Sequence, residues 1–500
     1  MSNILGVSCG FHDAGLTVLG RDGEIKFASH SERFSKKKND PNLCNSIISY
    51  AKSYGDIDTV AYYENHWLKK LRQFKAGQTV DRNLTLKSTL SQQFSAFPGF
   101  LKRRLTSFGH HKCHAAAGFQ TSPYSDATVV VIDAIGELDT ISIWDATYNT
   151  YGIARYNLLW RQKYPHSIGL FYSAMTKSVG LRPMDEEYIL MGMAAYGDKT
   201  SALYEEYIST EMVSSIHPPK FKENLHIGAP AMMDAENEID GYNIANATQH
   251  VAEEMIYGIM SKARMLGKSN NLVYGGGVAL NCLANRKLGI YFDNVWIMPN
   301  PGDAGSSLGA AALEYGKKIN WKNAFLGYDI PGEYPVKEIL DELQTNKIVG
   351  VANGRAEFGP RALGNRSLLA DPRGDDIKDK VNDIKRRQHF RPFAPVILQE
   401  HAERYFDMPK GFEKSPYMQA VAHCKNPEKF PAIIHHDGTS RVQTVPDNGS
   451  GIRRLLEGWL SLTHCPMLLN TSLNIRGEPI VNDLNDAKRF EEKYGVKVCS

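Results

Sequence analysis

The sequence predicts an α/β protein with two main parts, and three observations lead to that prediction. The chain has 500 residues, which is more than one ordinary domain holds. Short apolar runs typical of strands alternate with longer stretches typical of helices. A strand–turn–strand pattern at the start of the chain returns at residues 127–144. We therefore expect an internally duplicated N-terminal domain followed by a second α/β domain.

The two repeated hairpins carry acidic residues and glycines in their turns. The first runs from strand Ile4–Cys9, through a turn that contains His12 and Asp13, to strand Leu16–Leu19. The second has a strand at 127–132, a turn at 133–139 and a strand at 140–144. Glycine in such turns lets backbone N–H groups approach phosphate oxygens, and the acid can hold a metal ion.

Four residues form a candidate metal site. His110 and His114 are four positions apart, which places both imidazoles on one face of a helix. Asp133 ends a predicted strand, and Asp303 lies in a glycine turn before a predicted helix. Two histidines and two carboxylates suit a divalent ion such as Fe²⁺, Mn²⁺ or Zn²⁺. The alternative is that the histidines only cap or pad their helix.

A glycine-rich loop predicts a nucleotide site. The short strand Leu272–Tyr274 leads into Gly275, Gly276 and Gly277, and a helix is expected to begin near Val278. Glycines at a helix N-terminus suit a nucleotide or its phosphate. The loop matches neither the Walker pattern nor Gly-x-Gly-x-x-Gly, and many α/β crossovers contain a similar loop.

We expect the main domain boundary near residues 325–345. Long helices are predicted at 243–266 and from 309 to about 318, and a stretch rich in glycine and proline follows. The predicted division is residues 1–325, a linker at 326–345, and a second domain at 346–500 that opens with strand Ile348–Val351.

The second domain is dense in groups that bind anions. The arginines Arg361 and Arg366 lie in one Gly- and Pro-containing segment, and further cations and small polar residues follow it: Lys385, Arg386, Arg387, Arg391, Arg441, Asn470, Ser472 and Arg476. Arginine forks bind phosphate bidentately, and Asn and Ser add neutral contacts. Because these arginines stand beside Gly, Pro and Phe in tight turns, a phosphate site is favoured over a solvated basic face.

Composition is that of a globular protein without a membrane span. Hydrophobic residues make up 42% and charged residues 23%, and no apolar run approaches the length of a membrane helix. The net charge of +3 is too mild to indicate a partner. Seven scattered cysteines form no Cys-x-x-Cys pair, and the N-terminus has no secretory pattern. We expect a cytoplasmic protein, in the host cytoplasm if the source is viral.

Taken together, these motifs resemble those of the ATP-dependent O-carbamoyltransferases of nodulation-factor, cephamycin and aminoglycoside biosynthesis. The resemblance extends along nearly the whole chain. It is carried by His12-Asp13, Glu32-Arg33-Phe34, His110-His111-x-x-His114-Ala, the segments 165–172 and 191–197, Gly275-Gly-Gly-Val-Ala-Leu-Asn-Cys282, Gly302-Asp-Ala-Gly305, the segment 357–367 and Asn470-Thr-Ser472.

The resemblance implies a fold and a reaction. It implies an N-terminal, duplicated, actin-like ATPase-fold domain that binds a metal, and a C-terminal α/β domain that forms carbamoyl-adenylate from carbamoyl phosphate and ATP. The carbamoyl group then passes to an acceptor hydroxyl in the first domain. ATP is expected as a substrate with Mg²⁺, and Fe²⁺ is our first choice for the resident ion, before Zn²⁺ or Mn²⁺.

The resemblance also implies roles for individual residues. The metal ligands fall on His110, His114, Asp133 and Asp303, and His12, with Asp13 beside it, matches the position of the base that activates the acceptor. The contacts to carbamoyl phosphate and adenylate fall on Arg361, Lys385, Arg391, Arg441, Asn470 and Ser472. Nucleotide contacts are expected at Gly275, Gly276, Gly277 and Asn281. His12 could instead be a turn residue that bonds the backbone, and Asp13 could only brace it.

A basic, aromatic segment motivates a hypothesis about the acceptor. Between residues 67 and 104, nine cations face one acid, and aromatic residues are interleaved: Lys69, Lys70, Arg72, Lys75, Arg82, Lys87, Lys102, Arg103 and Arg104, with Trp67, Phe74, Phe94, Phe97 and Phe100. Such a pattern suits single-stranded or flipped nucleic acid. The acceptor is therefore hypothesised to be a 5-hydroxymethylpyrimidine, such as hydroxymethylcytosine, in a nucleotide or in DNA. A solvated helical insert is the alternative reading of the segment.

Alternatives exist for the acceptor and for the class of protein. A small sugar or natural-product hydroxyl is the alternative acceptor, and a homodimer is the expected assembly. An actin-fold ATPase or kinase would leave the second domain's arginines unexplained. A non-catalytic nucleic-acid-binding protein would leave His110, His114, Asp133 and Asp303 without a purpose.

Overall fold

The computed structural model describes residues 2–75 and 85–500. It divides into two compact units. The first unit comprises Met1–Lys26 and Pro41–Trp321, and the second comprises Phe27–Asp40 and Lys322–Ser500. In the described part of the chain, no helix combines the length and the apolar character that a membrane crossing requires.

The strands, in chain order, are β1 (Asn3–Ser8), β2 (Gly15–Gly20), β3 (Ile25–His30), β4 (Ile57–Tyr62), β5 (Arg104–Ser107), β6 (Asp126–Gly136), β7 (Asp139–Tyr148), β8 (Ala154–Lys163), β9 (Val213–Ser215), β10 (Lys220–Phe221), β11 (Asn271–Gly275), β12 (Asn294–Ile297), β13 (Phe325–Ile330), β14 (Ile348–Ala352), β15 (Gly354–Glu357), β16 (Arg366–Ala370), β17 (Ala394–Leu398), β18 (Phe406–Asp407), β19 (Val421–Cys424), β20 (Thr439–Arg441), β21 (Gln443–Val445), β22 (Met467–Ser472) and β23 (Val498–Cys499).

The helices are α1 (Glu32–Ser35), α2 (Asn45–Lys52), α3 (His66–Lys75), α4 (Leu86–Gln93), α5 (His110–Thr121), α6 (Ile168–Ser178), α7 (Glu187–Met193), α8 (Ser201–Tyr207), α9 (Glu238–Leu266), α10 (Cys282–Asn285), α11 (Ser306–Tyr315), α12 (Val336–Asn346), α13 (Ile377–Ile384), α14 (Ala402–Tyr405), α15 (Gly451–Thr463) and α16 (Leu484–Tyr494).

The first unit contains the same strand arrangement twice. In one sheet β2-β1-β4-β5 lie side by side, and in the other β7-β6-β11-β12 do. Each set starts with an antiparallel pair, β1 with β2 and β6 with β7, and adds two parallel strands. The central strand β1 is buried along its whole length, as parallel pairing between covered faces requires. The predicted internal duplication is confirmed, and it is the arrangement expected of an actin-like fold.

Close backbone packing positions helices α5 and α11. A methyl group on Gly309 of α11 would lie 1.9 Å from the carbonyl oxygen of Cys113 in α5. A methyl group on Gly6 of β1 would lie 1.9 Å from the carbonyl oxygen of Ser307. Only glycine permits such approach. The two helices that carry or follow the predicted metal ligands are therefore held against each other and against the sheet.

The second unit is built on a six-stranded mixed sheet with the order β21-β17-β22-β16-β14-β23. Helices α12 and α15 pack on each other beside this sheet. The core includes Val349, Leu369 and Leu468 from the strands and Leu455 and Trp459 from α15. The antiparallel pairing of β16 with β22 places the loop after β15 and the end of β22 in one neighbourhood, since Ser367 of β16 pairs with Ser472.

The region predicted as a linker is structured. Residues 326–345 form most of β13 and of α12, and the chain divides at 321/322 instead. Of the glycine and proline residues that suggested a linker, Pro331, Gly332 and Pro335 lie in the turn at 331–335, and Gly327 lies in β13. Residues 27–40, which we placed in the first domain, belong to the second unit. Local composition identified the turn, but the apolar side chains of Phe325–Ile330 and Val336–Asn346 pack against core.

Two helix boundaries also differ from expectation. The long helix predicted at 243–266 begins earlier, at Glu238, where Asn237 caps it by accepting from the backbone N–H of Ile239. The helix expected from Val278 is a 3₁₀ turn, Gly277–Leu280, followed by the short α10.

Candidate active site

The predicted metal ligands converge in the interior of the first unit. His110 and His114 lie on the first two turns of α5, Asp133 on β6, and Asp303 in a 3₁₀ turn before α11. One ligand atom from each residue lies within 4.8 Å of every other, and all four side chains are buried. Among the described residues, this is the group that could hold a metal ion.

The distances between these atoms match a coordination sphere. His110 Nε2 lies 3.0 Å from Asp133 Oδ2 and 3.3 Å from Asp303 Oδ1, and His114 Nε2 lies 3.8 and 3.3 Å from the same two atoms. Two ligands at about 2.1 Å from one ion stand about 3.0 Å apart at a right angle and about 3.4 Å apart at the tetrahedral angle. The donor set therefore fits a divalent ion in both chemistry and spacing.

The electrostatics of the cluster favour a positive charge at its centre. Burial raises the pKa of Asp133, but hydrogen bonds and charges of the two histidines outweigh it and hold the pKa well below its usual range. Burial lowers the pKa of His110, but the carboxylates of Asp303 and Asp133 outweigh it and raise the pKa well above its usual value. Two buried carboxylates thus stabilise a cation between them.

Neighbouring groups orient the ligands. Ser306 Oγ lies 3.2 Å from His114 Nδ1, and the backbone N–H of Gly277 donates to Asp133 Oδ1 over 3.1 Å. A methyl group on Gly136 would lie 2.3 Å from His110 Cδ2, so this position accepts only glycine while the imidazole stays in place. Outer contacts of this kind fix the orientation of metal ligands.

Glu137 is a site residue that the sequence analysis missed. Its buried carboxylate accepts from the backbone N–H of Asn65 and of His110, at the N-terminus of α5. Its backbone lies in the left-handed region, with φ 50°. Burial raises its pKa to about 7 against the effect of these hydrogen bonds. An acid after a glycine in the β6–β7 turn was the available signal, but its partner helix lies elsewhere in the chain.

His12 lies at the edge of the cluster. Its Nε2 is 3.9 Å from Asp303 Oδ2, and its Nδ1 is 3.5 Å from Asp13 Oδ2. Burial lowers the pKa of His12, but the interaction with Asp13 and the charges of Asp303 and Asp133 outweigh it and raise the pKa to about 9. The structure therefore brings the predicted base next to the predicted metal ligands, with Asp13 beside its other nitrogen.

The glycine loop lies against the same cluster. Gly276 has φ 87°, and a methyl group there would lie 2.2 Å from the carbonyl oxygen of Ile132. Gly277 donates to Asp133, as described above. Asn281 is engaged elsewhere, because its side chain accepts from the backbone N–H of Ala284 and exchanges hydrogen bonds with Gln249. The Asn281 side chain therefore stabilises the loop through these hydrogen bonds.

The predicted anion-binding loop of the second unit, residues 358–365, is held from several sides. Glu357 Oε1 accepts from the backbone N–H groups of Leu363, Asn365 and Arg366. Asn470 Nδ2 donates to the carbonyl oxygen of Ala362 over 3.1 Å. Gln443, which the sequence analysis did not single out, donates to Leu363 over 2.9 Å and accepts from Asn470 over 2.7 Å. Arg361, half-buried, projects from this ordered loop.

Arg366 has a structural role instead of the anion-binding role that its motif suggested. Its guanidinium is fully buried and donates to five backbone carbonyl oxygens, those of Asn482, Asn353, Asn365, Tyr328 and Gly354. Burial lowers its pKa to about 10, against the charge of Glu357. Its donors are engaged by the fold.

Lys385 and Ser472, both expected to contact the substrate, lie together in the second unit. Lys385 Nζ donates to Ser472 Oγ over 3.3 Å and to Asn474 O over 2.8 Å and Oδ1 over 3.1 Å. Burial, and then the charges of Arg387 and Arg391, lower its pKa well below the usual value. This side chain ties the end of β22 together.

Arg391 and Arg441 lie on separate elements of the second unit. Arg391 stands between α13 and β17, and Arg441 ends β20. Arg441 Nε and Asn470 Oδ1 are both buried without a hydrogen-bond partner within residues 2–75 and 85–500. Unpaired polar atoms in an interior mark a place where a ligand or water belongs.

The basic, aromatic segment is less open than its sequence suggested. Phe94 and Phe100 are buried, so they are core residues and not stacking platforms. Three of its cations are paired with acids: Lys69 with Glu64, Arg103 with Asp56 and Arg104 with Glu314. Trp67 and Phe74 of α3 are exposed. Arg82 and the side chains of Arg72 and Lys75 lie outside the described residues.

Comparison with known proteins gives the same assignment from both ends of the chain. Residues 3–312 match the family described as Carbamoyltransferase N-terminus, and residues 340–499 match the one described as Carbamoyltransferase C-terminus. A solved structure, the activator of the 2-hydroxyisocaproyl-CoA dehydratase from Clostridium difficile, matches 63% of this chain and 94% of its own at 13% identity, with a TM-score of 0.33.

Full-length relatives agree with the family match. A Synechocystis protein titled sll1178 is 31% identical over 98% of this chain and 94% of its own. Nodulation protein NolNO of Sinorhizobium fredii is 29% identical over 95% of this chain and 76% of its own. The 3'-hydroxymethylcephem-O-carbamoyltransferase of Amycolatopsis lactamdurans is 26% identical over 97% of this chain and 95% of its own. The chain therefore belongs to the O-carbamoyltransferase family, and it is a carbamoyltransferase.

Proposed function

We propose that the enzyme works in two steps, with carbamoyl-adenylate as the intermediate. The observation that carries this proposal is that two separate sets of charged residues occur in a carbamoyltransferase. The first unit holds His12 beside a metal-binding cluster. The second holds the loop that bears Arg361, which Asn470 contacts, and Lys385 at the end of β22. One set suits proton removal from an alcohol, and the other suits an anionic substrate.

The second unit would perform the activation. Water first breaks carbamoyl phosphate into carbamate and phosphate. A carbamate oxygen then attacks the α-phosphorus of ATP, and the bond from that phosphorus to the bridging oxygen breaks, so that pyrophosphate leaves with the electron pair. Arg361, Arg391 and Arg441 would bind phosphate oxygens, and the charge of Lys385 would assist them. Fixed cations screen the negative charge that otherwise repels the attack.

The first unit would perform the transfer. The acceptor oxygen forms a bond to the carbamoyl carbon, the bond to the adenylate oxygen breaks, and AMP leaves with that electron pair. The alcohol proton passes to Nε2 of the neutral form of His12, and the carboxylate of Asp13 lies beside Nδ1. A cation bound at the cluster would offset the carboxylate charges that raise the pKa of His12. The loop Gly275–Gly277 would contact the nucleotide phosphate through backbone N–H groups. A divalent ion at His110, His114, Asp133 and Asp303, Fe²⁺ first, would offset the carboxylate charge and polarise the carbamoyl oxygen.

For the acceptor we propose a hydroxymethyl group on an unsaturated heterocycle, with 5-hydroxymethylpyrimidines tested first. The Amycolatopsis relative is named for a hydroxymethylcephem, which carries such a group. Exposed Trp67, with Lys70 Nζ 5.1 Å from its ring centre, offers a surface for a base. A small sugar or natural-product hydroxyl is the second candidate. We propose a homodimer as the assembly. Light scattering, which measures the molar mass in solution, tests it.

The test is an assay of purified enzyme with labelled carbamoyl phosphate, Mg-ATP and a panel of alcohols. The proposal predicts pyrophosphate and AMP, with label on the acceptor. Formation of ADP with a phosphorylated acceptor would instead identify a kinase. Hydroxymethylcytosine DNA is digested to nucleosides for mass spectrometry. No mass gain there, alongside carbamoylation of a sugar, would rule out the pyrimidine acceptor.

A further inference from the structure

The motif Glu32-Arg33-Phe34 has no part in the two steps above, yet it is built into the second unit. Phe34 packs against Phe27 and Tyr328, with ring centres 6.2 and 6.1 Å apart. Lys36 forms an ion pair with Asp486. Residues 27–40 are thus an N-terminal segment that completes a unit formed otherwise from residues 322–500.

Arg33 is the buried cation of this segment. It is 2% exposed, and its Nη2 donates to the carbonyl oxygen of Gly359 over 3.0 Å. Its Nε and Nη1 are buried without a hydrogen-bond partner in the part of the chain that the structure describes. A buried guanidinium with unused donors is costly unless something accepts from them. Arg366 differs from Arg33 in this respect, because five backbone carbonyl oxygens accept hydrogen bonds from its guanidinium.

The position of Arg33 indicates what that partner is. Gly359 lies two residues before Arg361 in the anion-binding loop, whose other end is held by Asn470 and Gln443. Burial lowers the pKa of the Arg33 guanidinium, and the charges of Glu32 and Glu357 oppose that effect. Because an arginine side chain stays protonated, Arg33 presents a cation at this loop. The ligand that belongs beside such a cation is an anion with several acceptor oxygens.

We propose that Arg33 is a further binding residue of the activation site: it fixes the loop through Gly359 and gives its remaining N–H groups to the phosphate of carbamoyl phosphate. This inference rests on the proposed function of the second unit. It also gives the N-terminal segment a role in the chemistry of the C-terminal one. A purely structural Arg33 would serve only to dock residues 27–40.

The test measures carbamoyl phosphate binding by calorimetry in the full chain. Arg33→Met should weaken binding about tenfold or more, which is about 1.4 kcal/mol. Arg33→Lys keeps the charge and can keep the Gly359 contact, so it should fold normally and bind with an intermediate affinity. Lys36→Met is the matched control, because it breaks the Asp486 ion pair of the same segment and the hydrogen bond to the carbonyl oxygen of Arg33 but leaves the Arg33 guanidinium and the loop in place. This variant should bind as the unmodified enzyme does.

Three results would overturn the inference. Unchanged binding by Arg33→Lys and Arg33→Met would remove Arg33 from the site. If Lys36→Met lost as much affinity for carbamoyl phosphate as Arg33→Met, the effect of Arg33 would come only from docking of residues 27–40. No binding by the unmodified enzyme would overturn both this inference and the proposed function, whereas binding that Arg33 does not affect overturns the inference alone.

Discussion

The Nε2 atoms of His110 and His114 face each other 3.0 Å apart in the interior of the first unit. Two neutral imidazoles adopt this arrangement only if one nitrogen carries the hydrogen or a cation lies between them. Asp133 and Asp303 approach the same point. The two histidines therefore form half of a metal-binding set, and Asp133 and Asp303 form the other half.

Replacement of a ligand should remove the metal. His114→Ala and Asp303→Asn should lower bound divalent metal from about one equivalent to below about a tenth, because a closed set of four loses much of its affinity with one donor. Elemental analysis of purified protein measures this. His111→Asn is the control, since His111 Nδ1 lies 2.8 Å from Ser142 Oγ, outside the cluster. Full metal content in His114→Ala would contradict the assignment.

The two half-reactions should separate by mutation. His12→Ala should leave carbamoyl-adenylate formation intact and slow transfer about 10²–10⁴-fold, the usual contribution of a general base. Arg361→Ala should slow adenylate formation about 10²–10³-fold, as expected when one fixed charge is lost. Carbamoyl phosphate-dependent ATP–pyrophosphate exchange reports the first step, and product label reports the second. Normal transfer by His12→Ala would show that another group removes the proton.

The glycine loop should tolerate no side chain at Gly276. Gly276→Ala combines φ 87° with a contact of 2.2 Å to Ile132 O, so we expect a loss of about 2–4 kcal/mol of stability and weaker ATP binding. Gly302→Ala is the matched control, because nothing lies within 4 Å of its added methyl group. Thermal unfolding and nucleotide titration compare the two. Equal behaviour of both variants would mean that the loop rearranges freely.

Arg366 should matter for stability and not for substrate contact. Arg366→Lys leaves several of its five carbonyl partners without a donor, and we expect a loss of about 3–5 kcal/mol in the second unit. Arg361→Lys should leave the melting temperature within a few degrees, because Arg361 is only half-buried. Differential scanning calorimetry distinguishes them. If Arg366→Lys melted normally, the carbonyl contacts would not hold the unit together.

Lys385 should make stability depend on pH. Its folded pKa lies below the unfolded value of 10.5, so between these two values the unfolded chain binds more protons. Stability should therefore rise with pH in that window, by up to about 1.4 kcal/mol per unit for one proton. Lys385→Met removes the proton site, so its melting temperature should rise less from pH 8 to pH 9.5. Parallel curves would show that Lys385 is charged at both pH values in both states.

Several elements were predictable because the signals are local. The spacing of His110 and His114 predicts one helix face, and the two strand–turn–strand patterns predict the duplication that the sheets confirm. Asp303 was placed correctly in a turn before a helix. Glu137 and Gln443 were missed because each acts on a backbone group far away in the chain, and neither belongs to a periodic pattern.

The sequence by itself determined the α/β class, the internal duplication, the histidine pair and the family, since periodicity, turn residues and motifs are properties of neighbouring positions. The tertiary structure decided which groups accept hydrogen bonds from each cationic side chain. Arg366 is enclosed by carbonyl oxygens, Lys385 is tied to the end of β22, and Arg33 reaches a loop 326 positions away. Burial and the acceptors around a side chain arise from long-range packing, and residue type and spacing do not encode them.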